Sequence, residues 1–504
     1  MPTQSGLSSA VFVLDALTIV CFAAVNQIVP RPYLDEIFHI PQAQAYCDNK
    51  FDVWDPAITT PPGLYILARL YSAMLSPIVG SRNACSPMML RSLNVVVFVF
   101  ILPKALSLLA GPSSSATGRR RRDSEILRFA PPLYFFTFLF YTDMVASLLA
   151  LLSVGLARAY PSYTPSSASW VVVIAKCAVG MLAISTRQTN IVWVAYAFAS
   201  ELLDGFVYCG DNASPVETTV HNLSSLLSVP LLFVRCLKPA LVRLYSRVFA
   251  TPGGIRDITR VLFAYTPVLV SFALFVHVNG GITLGDKANH IPALHIVQLL
   301  YFAVFACIMQ APVLLLRRNA GDMIVTRSLR ALATHPVQSV LALVAVLWTI
   351  SKFTIVHAFI LADNRHYTFY INRRVLNVTP WARFALAPGY LLCLRAALIE
   401  RAAPRARVLD SVLFWGAAAA VLVPSPLIEC RYFIVPYFVW RSSAMIEGSS
   451  DTDRSDGETA KTRETARWAE LAWYAMINAA TVALFLLVSF EWPSEPGEKQ
   501  RFMW

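Results

Sequence analysis

Two adjacent carboxylates and a histidine sit just past the first long apolar run, in Tyr33-Leu34-Asp35-Glu36-Ile37-Phe38-His39-Ile40-Pro41-Gln42. Ionisable groups at a membrane edge are expensive to keep there and by default mark a functional site. On a helix, Asp35 and His39 share a face, with Gln42 near it. The pattern points to a catalytic acid site facing the lumen of a membrane compartment. Acids also suit the first turn of an interfacial helix, so plain capping by Asp35 and Glu36 is the competing explanation. Capping leaves unexplained a second aromatic-acid-proline cluster in the same loop, Trp54-Asp55-Pro56, ahead of Thr59-Thr60-Pro61-Pro62-Gly63. The double proline pre-sets an extended approach to the next helix.

Other chemistry-bearing segments also lie between apolar runs. In Ala362-Asp363-Asn364-Arg365-His366-Tyr367-Thr368-Phe369-Tyr370 the guanidinium fits phosphate oxygens and His366 adds a donor. The aromatic rings there suit a sugar ring or lipid headgroup. The plain alternative is an aromatic-belt anchor with a snorkelling arginine. Gly280-Gly281-Ile282-Thr283-Leu284-Gly285-Asp286-Lys287 is no Walker loop, since it lacks the GK[ST] ending and a preceding strand. With His290 and His295 it can wall a ligand site. Tyr141-Thr142-Asp143 adds an acid, and Glu429, Arg431 and Tyr432 are either an ion pair at a helix start or members of the site. Asp451-Thr452-Asp453 mimics the DxD of metal-dependent glycosyltransferases, but inside an acidic, apolar-poor tract the match is accidental.

The elements that position these loops are apolar. The 504 residues are 56% hydrophobic and 14% charged, against about 25% charged in soluble domains. Thirteen candidate spans follow, at 8–29, 88–110, 127–141, 144–159, 169–185, 191–203, 258–278, 293–316, 337–361, 381–398, 408–423, 432–444 and 468–490. The run 8–29 lacks a basic segment before it and a small-residue cleavage site after it, so it is expected to be a span and not a signal peptide. The net charge of +12 lies in short clusters between runs, which the positive-inside rule assigns to the cytosolic side and not to nucleic-acid binding. Nine cysteines include no CxxC pair, and Cys21, Cys177, Cys307 and Cys393 lie in apolar runs as small core residues.

The run 64–79 decides the topology. If it does not cross, the basic segments 119–122, 235–260, 317–330 and 401–407 all fall on one side. The loops 33–63, 141–143, 186–190, 280–290, 362–374 and 424–431 then all fall on the other. The expected organisation is one integral membrane domain over 1–504 with a first lumenal catalytic loop at 30–63. Cytosolic loops follow at 111–126 (basic), 205–257 and 447–467 (acidic, disordered).

These stretches together resemble a known family, the dolichyl-phosphate-glucose-dependent α-1,2-glucosyltransferases of N-glycan precursor assembly. The resemblance runs through 32–47, 54–65, 187–193, 280–286 with 295–302, 361–370, 429–437 and the closing Gln500-Arg501-Phe502-Met503-Trp504. The basic tract after Arg119 and the acidic tract after Glu447 depart from the family pattern.

The resemblance implies an all-α polytopic protein of GT-C type, with about 12–14 transmembrane helices and a long first lumenal loop in the endoplasmic reticulum membrane. It implies dolichyl-phosphate glucose as donor, a diglucosylated oligosaccharide on dolichyl pyrophosphate as acceptor, no nucleic acid and no nucleotide sugar. By position, Asp35 matches the first-loop acid that such enzymes use as base. Glu36, His39, Gln42, Trp54, Asp55 and Asp143 are then expected to support it or to bind acceptor. Arg365 with His366 is the first choice for the donor phosphate, with Arg431 and Lys287 in reserve. No cofactor and no metal are expected. A sister enzyme using dolichyl-phosphate mannose fits the same loops, and a channel- or transport-associated regulator is the other class to be weighed.

Overall fold

The computed structural model describes residues 4–111, 117–164, 170–208, 229–316, 318–319, 322–401, 407–447, 460–493 and 495–504. The protein is an all-α polytopic membrane protein. Seven described helices are long and apolar enough to cross a bilayer: Gly6–Ile28, Pro87–Leu109, Thr142–Ala159, Asn190–Val207, Gly254–Asn279, Pro336–Phe353 and Lys461–Leu487. Gly63–Val79, Trp170–Thr186, Gln298–Met309, Ala387–Leu398 and Val408–Leu422 are shorter apolar helices. Exposed Phe12, Val20, Leu274 and Val278 give the bundle the apolar outer surface that lipid requires. Strand is confined, among the described residues, to two small antiparallel hairpins: Arg318–Asn319 with Asp322–Met323, and Ser489–Trp492 with Glu495–Arg501.

Three expected spans differ from the structure. The segment 127–141 forms only the short helix Pro131–Phe135, and 126–141 is buried throughout. Pro131-Pro132 breaks the helix, and the apolar run fills the middle of the bundle instead of facing lipid. The segment 293–316 divides into Gln298–Met309 and Ala311–Leu316 around buried Gln310. The segment 337–361 leaves the helix after Phe353 and resumes as Ala358–Ala362.

The expected loops are partly helical. Thr117–Leu127 carries the basic run, Val229–Phe249 lies inside 205–257, and Ala460–Leu487 begins within the acidic tract. Arg467 pairs with Asp123 (2.6 Å) and Glu464 (3.3 Å), which anchors that early helical start. Residues 112–116, 209–228 and 448–459, including Asp451-Thr452-Asp453, lie outside the described residues.

The helix Gly63–Val79 makes no net crossing. The chain before it is bound to the chain after it twice, by the disulfide Cys47–Cys85 and by the Glu36–Arg91 ion pair (2.6 Å). Arg91 also donates to the Val29 carbonyl (2.7 Å), so the helix beginning at Pro87 starts where Gln4–Ile28 has just ended. The chain therefore returns to the bilayer on the side from which it left.

Candidate active site

The six loops converge at one end of the bundle. Asp35 meets Arg431 (2.9 Å), Asp143 meets Arg187 (2.9 Å), Gln188 donates to the Thr59 carbonyl (2.6 Å), and Leu284 N donates to the same oxygen (3.3 Å). Tyr33 joins Arg501 through its hydroxyl, and Arg365 bonds Gln500, so the C-terminal hairpin closes the cluster.

Asp35 owes its placement to its neighbour. Leu34, not a glycine, holds a left-handed φ of +51°, a conformation that survives only where its surroundings over-determine it. Glu36 supplies that constraint. Its carboxylate accepts from Arg91 Nε (2.9 Å), Arg91 Nη2 (2.6 Å), Phe140 N (2.6 Å) and Tyr33 N (3.0 Å), and both side chains of the pair are 0% exposed. The turn sends Glu36 inward and Asp35 outward, at the head of the helix Glu36–Cys47. Of its expected roles, Glu36 therefore has the supporting one, because a carboxylate with four donors and no exposure cannot meet an acceptor sugar.

The Asp35 side chain is 41% exposed; Oδ2 accepts from Arg431 Nη1, and its backbone N–H donates to the Tyr141 hydroxyl (3.1 Å). Arg431 is gripped from behind by both oxygens of Glu429. Partial burial opposes ionisation of Asp35, but the Arg431 guanidinium, with His39 and His366 beyond it, outweighs burial and holds the carboxyl below its ordinary range. Burial also resists charging of Arg431, and Glu429, Asp35 and Asp143 overcome it. His39 is pushed below its ordinary value by burial, against the pull of Asp35, and shares a hydrogen bond with the Tyr65 hydroxyl through Nδ1 (2.7 Å). The site thus holds a carboxylate, a fixed cation and an imidazole side by side.

Asp143 is fully buried against Arg187, which also donates to the Thr142 hydroxyl (3.1 Å). Gln42 uses both ends of its amide to clamp the loop, donating to the Val53 carbonyl (2.7 Å) and accepting from Asp55 N (2.9 Å). Asp55 caps the next turn at Ala57 N (2.9 Å). Gln42 therefore builds the loop and has no free polar end for a substrate. Trp54, which it positions, packs edge-on to Tyr65 (5.9 Å).

Arg365 is held bidentate by Asp363 (2.9 and 2.8 Å), donates to Gln500 Oε1 (3.0 Å) and lies over the Trp492 ring (4.2 Å). His366 Nδ1 donates to the Trp504 carbonyl (3.0 Å), and Nε2 lies 3.8 Å from Asp363 Oδ2, so both cationic candidates gather around one carboxylate. Two reserve cations separate from this pair. Lys287 is exposed and donates to the Asn279 carbonyl (2.6 Å) at the far side of its loop, so it does not reach the Asp35 cluster. Arg431 is in the cluster but bonded to Asp35 itself.

Sequence reasoning did not single out Arg187, Arg91 or the Cys47–Cys85 pair. Arg91 had a signal, as an ionisable residue inside the apolar run 88–110. Arg187 had only its place in a polar loop, and the cysteine pairing had none. Among the described residues no group of three His, Cys, Asp or Glu side chains is arranged to hold a metal ion. Arg431 already fills the gap between Asp35 and Glu429.

Comparison with known proteins places this arrangement. A family model described as the DIE2/ALG10 family matches residues 29–442, which span every site residue named above except the C-terminal hairpin. A protein of Arabidopsis thaliana named Dol-P-Glc:Glc(2)Man(9)GlcNAc(2)-PP-Dol alpha-1,2-glucosyltransferase is 33% identical over 95% of this chain and 96% of its own length. Proteins of the same name from Yarrowia lipolytica (96% of this chain, 95% of its own) and Mus musculus (99% and 98%) are each 31% identical. No solved structure matches the chain.

Proposed function

This chain belongs to the DIE2/ALG10 family, and we propose that it transfers the terminal α-1,2-linked glucose from dolichyl-phosphate β-glucose to the diglucosylated oligosaccharide Glc2Man9GlcNAc2-PP-dolichol. The observation that carries the chemistry is the half-open Asp35 carboxylate, held ionised beside Arg431 where six loops meet. Asp35 takes the proton of the acceptor glucose 2-hydroxyl as that oxygen attacks the anomeric carbon. The bond from carbon to phosphate oxygen breaks, its electron pair stays on dolichyl phosphate, and β-configuration becomes α. General-base assistance of this kind contributes about 10²–10⁴ in rate.

Arg365 and His366 are assigned to the leaving phosphate. The leaving group is already acidic and needs cationic donors rather than a general acid. A guanidinium fixed by Asp363, Gln500 and Trp492 before substrate arrives has little reorganisation left to do. Arg431 keeps the base charged and oriented, and Asp143 with Arg187 forms the adjoining wall.

The site faces the lumen of the endoplasmic reticulum. In support, Cys47–Cys85 bridges the catalytic loop, and such bonds persist in oxidising compartments. The reaction uses no metal. A regulator of conduction is not favoured: charges inside the helices are matched within the bundle, as in Lys176–Glu201 (2.8 Å) with Tyr265 and Arg441–Glu470 (3.1 Å), and do not line a path.

The test is transfer by purified protein from dolichyl-phosphate glucose to the diglucosylated acceptor, with and without EDTA, and with NMR assignment of the new linkage. An α-1,2 product formed equally well in EDTA is expected. A retained β linkage, dependence on added metal and nucleotide sugar, or preference for dolichyl-phosphate mannose overturns the mechanism or the donor.

A further inference from the structure

The first loop and the glycine-rich loop close on each other away from Asp35. Gly285 packs so tightly there that a Cβ would fall 2.2 Å from the Ile58 carbonyl oxygen and 2.5 Å from that of Pro56. Beside this seam lies an open cleft of about 620 Å³ lined by Trp54, Pro56, Leu284, Gly285 and Asp286, a volume ordinary for small-ligand sites.

We propose that this cleft is a sugar subsite for the acceptor glycan, remote from the hydroxyl that reacts; the assignment to an acceptor rests on the function proposed above. A pyranose has a face of C–H groups and a rim of hydroxyls. Trp54, Pro56 and Leu284 offer the cleft an apolar floor, and the half-buried Trp54 indole N–H makes no hydrogen bond among the described residues. The Asp286 carboxylate, held by the Asn289 amide (3.1 and 2.8 Å), accepts hydroxyl protons at the edge. Among the described residues that line the cleft none is a cation: Lys287 turns to the Asn279 carbonyl, and the His290 imidazole, outside the lining, lies 3.9 Å from the Asp286 carboxylate. It is therefore unsuited to a phosphate and suited to a neutral sugar.

Position selects the acceptor over the donor glucose. Trp54 packs on Tyr65, Tyr65 bonds His39, and His39 adjoins Asp35. Two side chains thus separate the cleft from the base. The glucose under attack occupies only the Asp35 end, whereas a glycan chain running from that end reaches the cleft.

Trp54→Ala, Trp54→Phe and Asp286→Asn in the full-length protein test this. Trp54→Ala should raise the acceptor KM by about tenfold to thirtyfold, the usual loss on truncating an aromatic anchor. The donor KM should move little, and Trp54→Phe should recover most of the loss. With a synthetic lipid acceptor truncated to its two glucoses, the ratio of wild-type to variant kcat/KM should fall toward one. A rise in donor KM instead, or an equal defect with the truncated acceptor, overturns the subsite. Binding of the free, lipid-less Glc2Man9GlcNAc2 glycan without donor, followed by saturation-transfer NMR, reads the cleft alone. Contact in wild type that is lost in Trp54→Ala, in a protein that transfers no glucose, refutes the reaction and leaves the sugar site standing. Absence of that contact in wild type refutes the subsite.

Discussion

Asp35 and Glu36 are neighbours of one chemical type, and their removal should produce opposite defects. Asp35 is 41% exposed and has one ion pair, to an arginine that Glu429 continues to hold after the charge is gone. Asp35→Asn should change stability by no more than about 1 kcal/mol. It should lower kcat by about 10²–10⁴, or roughly 3–5 kcal/mol of barrier. Glu36 is 0% exposed and accepts four donors, two of them from a guanidinium that is 0% exposed as well. An amide in its place keeps one acceptor oxygen and turns an NH₂ toward the others, leaving the buried Arg91 charge unneutralised. Breaking one side of such a pair costs about 3–5 kcal/mol, a large share of the roughly 5–15 kcal/mol that holds a domain folded. The assay pairs thermal unfolding of detergent-purified protein, followed by tryptophan fluorescence, with glucose transfer at a temperature where every variant remains folded. Asp35→Asn should melt with wild type and show that loss of kcat, and Glu36→Gln should melt early. A stable, inactive Glu36→Gln beside an active Asp35→Asn would exchange the two roles and refute the site.

Arg431→Gln removes the group that most depresses the Asp35 carboxyl. A base with a lowered pKa loses its ionised form only as pH falls through that value, so the acid limb of wild-type kcat/KM should lie below the ordinary carboxylate range. The limb should move to higher pH in the variant, and an unmoved limb excludes Asp35 as the titrating base. Cys47→Ser should lose about 4 kcal/mol by the loop-closure argument for its 38-residue separation. The other half of that prediction is labelling: maleimide should reach Cys85 in the variant from the lumenal side of sealed microsomes. Labelling from outside the sealed vesicles instead reverses the proposed orientation. A glycosylation tag inserted at 112–116 should remain unmodified, and its modification would put the basic loop on the face of Asp35.

Charge alternation made the architecture legible. The assumption that 64–79 does not cross puts six loops on one face, and those loops do meet, through Asp35–Arg431, Gln188–Thr59 and Leu284–Thr59. The division of labour between Asp35 and Glu36 followed from the family resemblance, but its physical cause was not legible, because it depends on the left-handed turn at Leu34 and on Arg91, 55 residues beyond Glu36. The surroundings of Arg365 were hidden for a similar reason, since Gln500 stands 135 residues away. An apolar run such as 127–141 has the same composition whether it faces lipid or protein, and only the packing of Pro131–Phe135 separates the two. Lys287 stands in a motif expected to wall a site, yet the direction of its amine follows from the Asn279 carbonyl behind it.

For the proposed role of Asp35 the contact with Arg431 carries an apparent contradiction, because a cation on a base makes it a weaker base. Each pKa unit removed is about 1.4 kcal/mol of preference for the ionised form, and proton-transfer efficiency falls with basicity. The environment resolves it. Burial alone drives the Asp35 carboxyl toward its neutral form, and a neutral acid takes no proton at all. In displacement of a good leaving group from a sugar, the attacking hydroxyl becomes strongly acidic only as its bond to carbon forms. By then a weak base suffices, provided that it is charged and aimed. Arg431 secures the charge, and the Leu34 turn, clamped by Glu36 and Arg91, secures the aim. The site therefore gives up intrinsic basicity for ionisation and alignment. The same reasoning puts the phosphate cations at a distance: a second guanidinium against Asp35 would weaken the base further, whereas Arg365, tied to Asp363 and Gln500, keeps its charge beside a different group.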